Sequence, residues 1–280
     1  MNQRMRMIVK LLLLGYVFAA SLASADDRHP ALDSKYYLSL GGYFASRAFK
    51  ASAEGSITPS SPTQYVDFES DLEVDDSPEL VVAEFRWQFA EKWNLGLQYF
   101  NSTREGEHTL DGTVEWEDVT YEIGARVAAE TSVDITRVVI SRHFRQKGGH
   151  DFRLTGGIHW LDISAQIEGE ATLDDGSTAF TTSRASASFP IPNVGALYQY
   201  SPSQKWLFSA RVDWFSASIG EYSGGIWNTN VIANYQIAKH VGVGLGYQFF
   251  QIDGTLNEDR WKGDVKIRFS GPTFQVSGFW

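Results

Sequence analysis

His159 is the residue best placed to do chemistry. In Gly156-Gly157-Ile158-His159-Trp160-Leu161-Asp162, with Ser164 two residues on, it is the one histidine of six in the middle of a strand-like segment. Hydrolysis or acyl transfer needs an imidazole beside Ser or Asp, to take a proton from the attacking group. The spacing argues against that here. His159 and Asp162 stand at an odd separation, and an extended chain puts such residues on opposite faces. Acidic runs are a second candidate: Asp67–Asp76, "DFESDLEVDD", and Glu115, Glu117 and Asp118 in "VEWED". Carboxylates so grouped can bind calcium or magnesium, but the spacing matches no calcium loop, and no metal or cofactor is assigned. The third candidate is a row of charges, Lys262, Asp264, Lys266 and Arg268, alternating with Trp261, Gly263, Val265, Ile267 and Phe269. Alternation of this kind places all four charges on one face of a strand.

The elements that would position these residues are strands throughout. In Leu80–Ala90, Val81, Ala83, Phe85, Trp87 and Phe89 share one face and Val82, Glu84, Arg86 and Gln88 the other. Trp206, Phe208, Ala210, Val212 and Trp214 alternate with Ser209, Arg211 and Asp213. Trp227–Ala238 and Val241–Phe249 repeat the pattern, with Asn228, Asn230 and Asn234 or glycines on the polar side. Less regular strands are expected near Lys35–Arg47, Trp93–Thr103, Thr131–Arg145, Asp151–Ile167 and Phe189–Tyr200, and a last one from Arg260 to Trp280. Links alternate short and long, the long ones near Ala48–Glu79, Arg104–Glu130, Glu168–Ser188, Gly220–Gly225 and Gly254–Asp259. Ten antiparallel strands with one oily face, aromatic residues near strand ends and charges on the other face read as an all-β, up-and-down transmembrane β-barrel. A soluble sandwich also alternates, but its dry core would not accept Glu84, Arg86, Arg211, Asp213 and three asparagines.

Length, charge and composition bound the rest. Arg4, Arg6 and Lys10, the apolar Leu11–Ala20 and Ala23-Ser24-Ala25 read as a secretory leader cleaved after Ala25, which leaves residues 26–280 as one domain. Aromatics make up 14% of the chain while no later segment is long and apolar enough for a spanning helix. Cysteine is absent, which excludes disulfides, thiolate metal sites and cysteine nucleophiles. Removing the three basic leader residues takes the formal charge from −10 to near −13, which argues against nucleic acid as a partner.

The leader, the alternating strands and the ending "TFQVSGFW" together resemble bacterial outer-membrane β-barrel proteins of the small porin-like and OmpA-like kind. That resemblance implies a location in the outer membrane, contact with its lipids and lipopolysaccharide, and a monomer. It also implies that Phe274, Val276 and Trp280 form the C-terminal signal read by the barrel assembly machinery, with periplasmic chaperones as transient partners. The resemblance transfers no activity; the function expected of the chain is a narrow pore or a structural, surface-interaction barrel with acidic outer loops. A charged lumen network is expected from Glu84, Arg86, Arg211, Asp213, Lys262, Asp264, Lys266 and Arg268, pairing across a narrow interior. The alternative is a lipid-modifying or proteolytic barrel enzyme centred on His159. Within the last strand the apolar positions are odd-numbered before Ser270 and even-numbered after Pro272, which predicts a bulge at Ser270-Gly271-Pro272.

Overall fold

The computed structural model of the chain describes residues 28–52, 66–74, 79–116, 119–173, 176–219, 222–258 and 261–280. The expected leader, Met1–Ala25, lies outside them. Fourteen strands follow in order: β1 Tyr36–Phe44, β2 Ser46–Ala51, β3 Val66–Asp67, β4 Glu79–Ala90, β5 Trp93–Thr109, β6 Val114–Trp116 and β7 Val119–Tyr121, then β8 Arg126–Lys147, β9 His150–Leu173, β10 Thr178–Ser203, β11 Trp206–Ile219, β12 Tyr222–Ala238, β13 Val241–Glu258 and β14 Trp261–Phe279. β1 and β2 keep one register against β14, with Tyr43 opposite Thr273 and Ser46 opposite Ser270, so they make a single wall strand. With β4, β5 and β8 to β14 they form a closed antiparallel barrel of ten wall strands among the described residues. Closure is sealed where the ends meet, as Tyr36 and Trp280 exchange backbone hydrogen bonds of 2.9 and 3.0 Å.

One end of the barrel has tight turns. Gly148 and Gly149 join β8 to β9 with φ of 57° and 77°, the left-handed geometry that a two-residue hairpin demands and glycine supplies. Between this end and mid-wall the outward face is oily. Leu38, Leu40, Val138, Ile140, Leu154, Val231, Leu245 and Val276 stand exposed there. Trp87, Trp93, Trp206 and Trp280 ring this belt near the tight turns, and Tyr99, Trp160, Trp214, Trp227 and Tyr247 ring its far edge. Trp206 and Trp214 bracket about nine residues, the length a tilted strand needs to cross hydrocarbon.

Beyond the far ring the pattern inverts without a change of register. On β8 and β9 the outward residues become Glu130, Asp134, Asp162 and Glu170, while Val133, Ile135, Leu161 and Ile163 turn inward and are buried. Water now surrounds the wall, so the apolar face must point in, as in a soluble barrel. The expected long link Glu168–Ser188 is therefore mostly strand: β9 and β10 pair without interruption from His150↔Tyr200 up to Thr172↔Thr178, whereas much of Ala48–Glu79 lies outside the described residues. The period of two in β9 and β10 was present, but its apolar side had changed.

The same inversion removes the expected bulge. β14 pairs with β13 through Ser270, Gly271 and Pro272 with no register shift, and odd-numbered residues from Val265 to Phe279 face the interior throughout. What changes at Ser270 is the medium outside the strand.

Two inward-folded segments fill the upper barrel. One is β3 with its turn, Val66–Val74, where Val74 N donates to Phe68 O at 3.0 Å and buries Phe68, Leu72 and Val74. Its backbone lies on Gly106, where an added Cβ would come within 2.5 Å of Glu73 O. The acid run expected as a free loop is thus half core, and its Glu69 accepts from Arg47 Nε at 3.0 Å and from Phe49 N at 2.6 Å. The other segment is the β6–β7 hairpin, which buries Trp116 and Tyr121; Tyr121 Oη donates to Ile167 O at 2.8 Å. Phe49, Phe68 and Trp116 meet edge to face in succession, each pair of centroids 5.3 Å apart.

A charged chamber in the barrel lumen

Inside the oily belt the wall turns polar residues inward, because lipid has taken the apolar ones. Asp213 on β11 is fully buried, accepts a hydrogen bond from Arg137 Nη2 of β8 at 2.9 Å and forms an ion pair with Arg211 Nε at 3.5 Å. Gly195 on β10 makes room for it: a Cβ there would come within 2.4 Å of Asp213 Oδ1. Arg211 also reaches Glu84 at 3.9 Å and donates to Gln98 Oε1 at 3.3 Å. Nearer the tight turns, fully buried Asp151 binds His143 Nδ1 at 2.8 Å and Arg153 Nε at 2.7 Å, and Asn94 Nδ2 lies 3.0 Å from His143 Nε2. Removing either acid would strand buried cations, at a cost of about 3–5 kcal/mol.

Beside these groups lies a cavity of about 90 Å³ whose lining includes Glu84, Arg86, Arg137, Arg153 and Arg211. Its floor is the 3-10 turn Pro30–Leu32, whose Ala31 and Leu32 pack with Leu207 and Phe279. Arg86 Nη2 donates to Ala31 O at 2.6 Å and to Ser34 Oγ at 3.2 Å, and His29 N donates to Ser201 Oγ at 2.6 Å. A smaller cavity adjoins the first, sharing Glu84, Gln98, Asn230 and Gln275 and adding Gln248 and Thr273, and His159 is opposite Arg137 on the neighbouring strand. That imidazole is buried beside Asn193, its ring 6.2 Å from that of Phe250, whereas Asp162 is exposed on the opposite face and Ser164 shares that outward side.

The eight charges expected in the lumen divide into two groups. Glu84, Arg86, Arg211 and Asp213 point inward; the first three line the cavity and Asp213 pairs with Arg211 beside it. Lys266 and Arg268 are exposed on the outer face, with Asp264 half-buried on the same side, and Thr255 Oγ1 donates to Asp264 Oδ1 at 2.6 Å. The reason is again the inversion: on this upper part of β14, Val265, Ile267 and Phe269 are the inward set. The Lys262 side chain lies outside the described ones. Phe274, Val276 and Trp280 are exposed on the oily belt. Sequence reasoning missed Arg137, His143, Asp151 and Arg153, although Arg137, Ser141 and His143 share one parity against Val138 and Ile140 on the other. Among the described residues no three His, Asp or Glu side chains converge as metal ligands.

A closed ten-stranded wall, an oily belt between two aromatic rings and a charged lumen define a β-barrel of the outer-membrane class. The outer-membrane protease OmpT of Escherichia coli shares this fold: 88% of this chain and 96% of that one superpose with a TM-score of 0.58, at 10% identity. Ail of Yersinia pestis (TM-score 0.32, 9% identity, 86% and 97% covered) and the toluene transporter TodX of Pseudomonas putida (0.36, 8%, 90% and 92%) are more distant in shape. No protein-family profile and no curated sequence matches the chain.

Proposed function

We propose that this is an exported, monomeric outer-membrane barrel without a through-pore, which acts by presenting its rigid upper β-extension outside the cell. The observation that carries this reading is the upper core: Phe68, Leu72, Trp116 and Tyr121 are fully buried across the lumen and, among the described residues, make an apolar plug there. Cleavage after Ala25, contact of the oily belt with outer-membrane lipid and lipopolysaccharide, and assembly guided by Phe274, Val276 and Trp280 belong to the same reading. The tight turns then lie on the periplasmic side and the extension outside.

Purified protein reconstituted in planar bilayers tests it. A membrane that stays silent at 100 mV fits a closed barrel; stepwise single-channel currents would overturn it. For location, the folded chain should sediment with outer membranes and shift on gels after boiling, and intact mass should begin at Asp26. Recovery from the soluble periplasmic fraction would refute the membrane assignment.

A further inference from the structure

The chamber holds more positive charge than its own acids balance. Arg153 is paired with Asp151, Arg137 with Asp213, and Arg211 with Asp213 and more distantly Glu84. Arg86 makes no salt bridge among the described residues; its two hydrogen bonds go to the neutral oxygens of Ala31 and Ser34. Its repulsive neighbour is Arg153, which is 1% exposed and keeps Nη1 without a hydrogen-bond partner, while Glu84 and Asp151 attract it from beyond salt-bridge distance. Four guanidinium groups therefore face three carboxylates inside a closed wall, and the surplus falls at the cavity floor. A buried cation with no counter-charge in contact is costly, and a planar guanidinium fork fits an oxyanion's geometry. The cavity's roughly 90 Å³ holds about six waters at about 15 Å³ each, ample for one small ion.

We propose that this chamber binds a small oxyanion of the phosphate type, held between Arg86 and Arg153, with Tyr37 and Gln275 on its rim. Arg86 links the site to the floor, since the same guanidinium that would face the ion also holds Ala31 O. The wall is closed around the chamber, so the ligand is a free ion rather than a lipid headgroup. This inference is independent of the closed-barrel reading, which rests on the upper core.

The test uses the folded full-length barrel in zwitterionic, lipid-free detergent, with inorganic phosphate replacing chloride at fixed ionic strength. The thermal midpoint of the boiling-sensitive gel shift should rise and saturate with phosphate. Arg86→Gln should require at least tenfold more phosphate for the same shift. Glu84→Gln, which removes a half-exposed carboxylate from the chamber, should require several-fold less and keeps the test decisive if Arg86→Gln does not fold. A midpoint that fails to saturate, a Glu84→Gln barrel that binds no tighter, or a response to phosphatidylglycerol alone would overturn the proposal.

Discussion

Trp116→Ala separates the two halves of this barrel. Trp116 is fully buried and packs edge to face on Phe68, which packs likewise on Phe49. Truncating such a residue costs about 3–5 kcal/mol through lost burial and the void left behind. The loss falls on the inward hairpin and the Val66–Val74 turn, because neither contributes a strand to the lipid-facing wall. Local opening of the plug should therefore become roughly 10²- to several-10³-fold more frequent, at about 1.4 kcal/mol per decade, while the wall persists. Protease added outside intact cells should cut the variant near residues 66–74 or 114–121 at a correspondingly higher rate, and the gel shift on boiling should be retained. The reasoning fails if cleavage is unchanged, or if the wall itself is lost and no folded band remains.

Other parts of the structure give four more expectations. Asp213→Asn should lower unfolding free energy in vesicles by about 3–5 kcal/mol, because Arg137 and Arg211 lose their shared acid; equal stability to the parent would contradict the network. Val231→Arg, on the oily belt, should cost about 2–4 kcal/mol, whereas Ser186→Arg on the extension should stay within about 0.5 kcal/mol. Equal effects of these two in denaturant titrations would erase the belt. Burial holds His29 down to about 4, and its neutral Nδ1 accepts from Ala31 N at 3.2 Å. The unfolded imidazole protonates first as pH falls, so the floor should be fully stable above about pH 6.5 and weaken progressively toward pH 4, seen as faster proteolysis before Tyr36. His29→Gln should flatten that profile, and an unchanged profile would remove His29 as its cause.

The belt was legible because lipid imposes one rule on every strand it touches: Val81 to Phe89, Trp206 to Trp214 and Val241 to Phe249 all read correctly by parity. The extension was not legible by that rule. Ala185, Ala187 and Phe189 alternate as cleanly as any strand, but a reader holding the lipid rule sees their serine and arginine neighbours as a polar link. Lys266 and Arg268 were assigned inward for the same reason. Asp151 and Arg153 sit beside a turn, where charge usually means solvent, and it is their full burial that shows them inside.

β14 carries two opposed patterns in one uninterrupted register, lipid-facing below Ser270 and core-facing above it. A slip by a single residue would turn both over at once, putting Gln275 into hydrocarbon and Ile267 into water. Neither half could compensate for the other, so wrong pairings are penalised along the whole strand rather than at one patch. The long strands of this barrel thus act as a proofreading device during assembly: height above the membrane, whatever it presents outside, also helps the wall to close in only one way.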